Sequence, residues 1–181
     1  MDAHREDPRD LPASQTPAEV RKDRSAAWLW IITFIYGLHV MEEFTFNWAA
    51  WANSIGLGFT WSDFYLTNAE VIVLGASAAM IGWRMPQVSL GFPALALVNG
   101  VFFHILPSVL ALRPNPGALT ATFLFLPVSL RIFREVLRQG IATRRQITVA
   151  FVFAALAQGF PLVLLKLKPL LAYASAGALA R

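Results

Sequence analysis

Between Ala26 and Phe46 the chain runs through about 20 residues in which His39, Glu42 and Glu43 are the only His, acidic or basic side chains. At 1.5 Å per residue this run matches a hydrocarbon core about 30 Å thick. Lipid offers a backbone no hydrogen-bond partner, so such a segment must be helical. Ionisable groups at this depth cost on the order of 3 kcal/mol each and mark functional sites. With 56% hydrophobic residues and a mean hydropathy of +0.53, the chain is too apolar for an ordinary soluble domain of 181 residues. It contains no cysteine, which excludes disulfides, thiolate metal sites and a cysteine nucleophile. Any metal must therefore take His and carboxylate ligands.

The pattern predicts an all-α, polytopic transmembrane helix bundle of about five spans. They lie near 26–46, 66–83, 88–112, 118–130 and 146–165, within a transmembrane domain at 26–168. Residues 1–25 form a polar tail with Pro8, Pro12 and Pro17 and both signs of charge, expected to be disordered and cytoplasmic. Residues 169–181 form a C-terminal tail too short to span. The segment 47–65 has no Lys or Arg but carries Trp48, Trp51, Trp61 and Tyr65, and reads as interfacial structure able to roof a pocket. Past Leu130, the basic run of Arg131, Arg134 and Arg138 reads as topology and headgroup contacts, with Arg131 snorkelling. With five spans, eleven of the fifteen Lys and Arg fall on the side of the N-terminus and four on the other. The positive-inside rule then puts the N-terminus in the cytoplasm of a multi-pass protein of the cell (plasma or inner) membrane. The basic residues flank apolar segments rather than forming one patch, so lipid is the expected partner and nucleic acid is not.

Depth brings the polar residues together. Counted from Ala26, His39 lies roughly 20 Å and Glu43 roughly 25 Å across the membrane. Glu70 falls about 6 Å below the same outer boundary, and His104 at about 20–24 Å. His39 and Glu43 are within about 40° of each other on their helix, with Glu42 about 60° to the other side. His39, Glu42, Glu43, Glu70 and His104 are thus candidate ligands for a divalent metal such as Zn, Fe or Mn, which take nitrogen and oxygen donors. Glu42, Glu43 and Glu70 are the candidate catalytic groups, and Asn68 and Asn99 supporting polar residues. Asn99 and His104 stand about 140° apart on a regular helix, and only a distortion near Pro107 brings them to one side.

His39-Val40-Met41-Glu42-Glu43 resembles the motif that names the HXXEE family of bacterial membrane proteins of unknown function. Asn68-Ala69-Glu70, Asn99 through Phe103-His104, and Pro116-Gly117 followed by Thr120 and Pro127 are similar to its later motifs, over residues 30–130. The resemblance implies that His39, Glu42, Glu43, Glu70, Asn99 and His104 form one site, and implies no reaction. The layout is more loosely similar to sterol-isomerase-type membrane bundles, in which carboxylates move protons without a metal.

Three function classes follow. One is a membrane enzyme whose His/Glu-bound metal acts on a lipid-like, hydrophobic small molecule entering from the outer leaflet. Another is a metal-free acid–base isomerase acting on an isoprenoid-like substrate. The last is a proton- or ion-coupled carrier, against which stand the missing repeat and a site near one face instead of the midplane.

Overall fold

The computed structural model describes the backbone of residues 17–179 and the side chains of residues 25–167. Within these bounds every regular element is a helix. Helix α1 spans Pro17–Thr45, the short α2 Trp48–Ser54 and α3 Trp61–Ile81, the last followed by a tight turn at Gly82–Arg84. Helix α4 is Pro86–Leu110, α5 covers 118–138, and α6 is Arg144–Leu179. The backbone is already helical at 17–25, the end of the expected polar tail, while residues 1–16 lie outside the described residues. Helix α6 carries the backbone of the expected C-terminal tail on to Leu179; residues 180 and 181 lie outside the described residues.

Among the described residues, four helices are long and apolar enough to cross a membrane: Ser25–Thr45, Trp61–Arg84, Pro86–Leu110 and Arg144–Leu167. The chain is a multi-pass membrane protein. Helix α5, expected as another span, is not among the four, because its apolar part at 118–130 extends only about 20 Å before Arg131, Arg134, Glu135 and Arg138. It still carries the chain back past α4. Gln146 Nε2 at the start of α6 donates to Gln87 Oε1 at the start of α4 over 3.1 Å. The Arg131 guanidinium sits 4.5 Å above the Trp28 ring, a cation–π contact where snorkelling is expected.

Helices α1, α3, α4 and α5 enclose the main core, with Leu29, Ile32, Leu90, Leu95, Phe125 and Ile132 buried at its centre. Helix α6 packs on the outer side of α4. Side chains such as Phe34, Met41 and Phe123 point outward from the bundle and are 65–70% exposed, as a lipid-facing surface requires. Small residues set the close approaches. A methyl group at Gly75 of α3 would stand 2.7 Å from Cζ of Phe92 on α4, and one at Gly91 would stand 2.9 Å from Phe153 of α6.

Two wide, π-type turns interrupt α4 at Gly100–Ile105 and α5 at Ala121–Phe125. Each ends just before a proline, Pro107 or Pro127. A proline has no N–H for the carbonyl four residues back and its ring clashes with that carbonyl, so the preceding turn widens to admit it. The two widened turns pack against each other, with Gly100 facing Ala121 and Phe125.

The α3–α4 contact yields a test. Gly75→Ala should lower the melting temperature of the detergent-solubilised protein, at an overpacking cost of about 1–3 kcal/mol. Gly75→Ala with Phe92→Leu should recover most of the loss, and a single variant as stable as wild type would show that the contact is slack.

Candidate metal centre

Three side chains from two helices meet in the interior. His39 and Glu43, one turn apart on α1, face His104 on the wide turn of α4. His39 and His104 are 1% and 0% exposed and Glu43 6%. Glu43 Oε1 lies 3.6 Å from His39 Nε2 and 3.4 Å from His104 Nε2. The three potential ligand atoms all lie within 4.8 Å of one another. Donors at ~2.0–2.2 Å from a tetrahedral ion stand about 3.3–3.6 Å apart. The two N–O separations already match that spacing, and the His39–Glu43–His104 group can hold a metal ion.

The other ring nitrogens show which atoms face the centre. His104 Nδ1 lies 2.8 Å from the Pro116 carbonyl oxygen, which can only accept, so Nδ1 carries the proton and Nε2 a free lone pair. His39 Nδ1 lies 2.7 Å from Thr120 Oγ1. That hydroxyl gives its proton to Glu42 Oε2 at 2.6 Å, so it accepts from His39, and Nε2 is again the lone-pair nitrogen. Both Nε2 atoms are buried without a hydrogen-bond partner. Two orphaned imidazole lone pairs beside a carboxylate are costly in a dry interior and are what a metal ion satisfies.

Glu42 lies outside this triad, although the sequence places it in the ligand and catalytic sets. Its carboxylate accepts from the backbone N–H of Gly117, Leu119 and Thr120 at 3.1, 3.0 and 2.7 Å, as well as from the Thr120 hydroxyl. These are first-turn donors of α5 that lack intrahelical partners, and the helix dipole favours a carboxylate there. Glu42 thus joins α1 to α5 and, through Thr120, orients His39.

Glu70 is exposed on α3 and stands apart from the triad. Helix α3 starts at Trp61, so Asn68 is already helical, and two residues further round the helix Glu70 faces the opposite way. Asn68 is buried, accepts from the Tyr36 hydroxyl at 2.6 Å and donates to the Phe64 carbonyl at 3.0 Å. Asn99 and His104 do come toward one side. The wide turn between them adds about one residue to the coil and takes roughly 100° off their angular separation.

The α4–α5 turn supplies contacts that residue spacing does not disclose. Pro107 leaves the Phe103 carbonyl without its helical donor, and Asn115 Nδ2 fills that place at 2.8 Å. Asn115 Oδ1 also approaches His104 Nδ1 at 3.3 Å, and its N–H donates to Ser108 Oγ at 3.0 Å. Gly117 has φ of +91°, and a methyl group there would lie 2.6 Å from the His104 ring and 2.7 Å from Cε1 of His39. Among these residues Thr120 and the Pro116-Gly117 pair had a sequence signal, in the turn motif; Asn115 had none beyond its place in that turn.

A family model for proteins of unknown function with an HXXEE motif matches residues 30–132. The chain belongs to this HXXEE family. No curated protein and no solved structure gives a significant match to it. The motif's first His and last Glu are His39 and Glu43 of the triad, and its middle Glu is the α5 cap.

Removing the hydroxyl link should loosen His39. Thr120→Val is expected to weaken Zn²⁺ or Co²⁺ binding about 10- to 100-fold by calorimetric titration, as lost outer-shell partners do, with Thr120→Ser close to wild type. Equal affinity in Thr120→Val and wild type would remove Thr120 and Glu42 from any role in the centre.

Proposed function

We propose that this HXXEE protein is a metal-dependent membrane enzyme in which His39, Glu43 and His104 hold a divalent ion and the substrate is a lipid-like molecule. The observation that carries the reading is the pair of buried, unpartnered Nε2 atoms aimed at one carboxylate. Two His and one carboxylate with room for further ligands are the donor set of both hydrolytic zinc sites and non-haem iron sites. Such an ion supplies a Lewis acid that polarises a substrate oxygen or activates water.

The chain's own residues do the rest. Glu43 belongs to the triad and also lines an apolar cavity enclosed by α1, α2, α3, α4 and α6. It therefore stands between the centre and any molecule in the cavity. Trp48 and Trp51 of α2 close the cavity at the end where α1 finishes, and a covered apolar chamber strengthens electrostatic contacts inside it. Tyr36 is held by Asn68 at the edge of this chamber. With α5 taken as the return from α4, the five-span count of Lys and Arg supports a chamber in the outer leaflet, within reach of membrane-dissolved substrates.

Elemental analysis by mass spectrometry on detergent-purified protein, prepared without chelators and reconstituted with Zn, Fe or Mn, tests the reading. Near-stoichiometric metal is expected, with loss of most of it in Glu43→Gln and His104→Ala and retention in Glu70→Gln. Metal-free protein after reconstitution would overturn the reading and leave a carboxylate acid–base isomerase in its place.

A further inference from the structure

The cavity beside Glu43 has a volume of about 280 Å³ and a wall that is mostly aromatic and aliphatic. Its polar side chains are one carboxylate, Glu43, together with Tyr36, Thr67, Asn68, Asn99 and Gln158. Among the described residues no Lys or Arg lines it. Phosphate and carboxylate heads are recognised by Arg, Lys or helix N-termini. This wall offers amides and hydroxyls instead.

Two of the polar groups have spare hydrogen-bonding capacity. Asn99 Oδ1 is buried without a partner, as is the indole N–H of Trp48 in the α2 roof. Buried polar atoms are rarely left so unless a ligand or water completes them. The roof is itself a built element. Asn47 caps α2 from a left-handed backbone, its Oδ1 accepting from the Ala50 N–H at 3.1 Å, and the Asn53 amide clamps the Phe59 backbone through bonds of 2.6 and 2.8 Å.

Two helices of the wall meet along a loosely packed seam. Helix α3 packs on α1 and α4, and α6 on α4, so α3 and α6 share the cavity without being main packing partners. Thr67 and Val71 line it from α3, and Ala157 and Leu162 from α6. Leu165 of α6 meets the cluster of Phe59 and Phe64 and closes the roof end. Both helices expose apolar side chains, such as Val73 of α3 and Leu156 of α6, so the seam between them borders the bilayer.

We infer that the cavity binds a neutral, single-chain amphiphile, admitted from the membrane between α3 and α6, with an uncharged hydroxyl or carbonyl head among Asn99, Gln158 and Glu43. The apolar chain lies against Trp48, Trp51, Phe64 and Phe102 under the α2 roof. This assignment rests on the proposed function for its reactive end but on the cavity wall alone for the class of ligand. A head without charge needs no cation in the wall, and a single chain suits a space of this volume better than two.

The test uses the full-length protein in detergent, prepared both with and without Zn²⁺, and reads quenching of tryptophan fluorescence by 11-bromoundecan-1-ol and by 11-bromoundecyl phosphate. Bromine quenches on contact, and Trp48 and Trp51 line the chamber. Saturable quenching by the alcohol is expected, with the phosphate at least about tenfold weaker, equivalent to about one lost hydrogen bond to a charged group. Ala157→Phe should block the alcohol, and Asn99→Leu should weaken it about tenfold. Equal or tighter binding of the phosphate, or quenching that rises linearly like detergent partitioning, would overturn the inference in wild-type protein whatever the variants do. Alcohol binding without bound metal would leave the inference standing and remove the metal reading. Stoichiometric metal without saturable quenching would do the reverse.

Discussion

The contact between the Glu42 carboxylate and the first turn of α5 holds the site together. A half-buried carboxylate on a membrane helix is best held where its lone pairs are filled, and four donors from one helix start fill them. The helix start is in turn relieved of unpaired N–H groups that lipid cannot satisfy. Each cost offsets the other, so α1 and α5 are joined where both would otherwise be unstable. Thr120, lying inside this contact, passes its orientation on to His39.

The second constraint is the wide turn before Pro107. It turns His104 toward the α1 pair, and it frees the Phe103 carbonyl that Asn115 then ties to the α4–α5 turn. That turn brings the Pro116 carbonyl to His104 Nδ1 and leaves at Gly117 a gap filled by both imidazole rings. One proline thus bends a helix, recruits a loop and selects a histidine tautomer. The matching turn before Pro127 lets α5 pack against the distortion; a regular helix there would present a surface of different pitch.

What could be read from the sequence divides along physical lines. Depth follows from residue counts in helices that cross a membrane, so His39, Glu43 and His104 share a layer on counting alone. Rotation about the helix axis does not follow so easily. Glu70 shares that counted depth, but on α3 it lies about 200° round from the buried Asn68 and is exposed. Asn99 and His104 have the wrong spacing for a uniform helix and converge only through the wide turn. Contacts made by backbone, such as Pro116 to His104 or Gly117 to Glu42, do not follow from side-chain patterns, although the Pro116-Gly117 pair itself stands in a turn motif. The span count diverges at α5, where arginines end the apolar run early although the chain still returns past α4.

The spacing within the HXXEE motif is explained by these contacts. Residues four apart lie on one face of a helix, and three apart on its flank. His39 and Glu43 therefore present one nitrogen and one carboxylate inward together, while Glu42 turns aside toward a neighbouring helix. The two adjacent carboxylates have opposite duties: one remains free beside two imidazole lone pairs, the other is saturated by α5. A histidine flanked in this way has its Nδ1 proton committed to one carboxylate through Thr120 and its Nε2 facing the other. The five-residue motif thus carries both a ligand pair and the outer contact that orients it, and a third ligand from α4 completes the set.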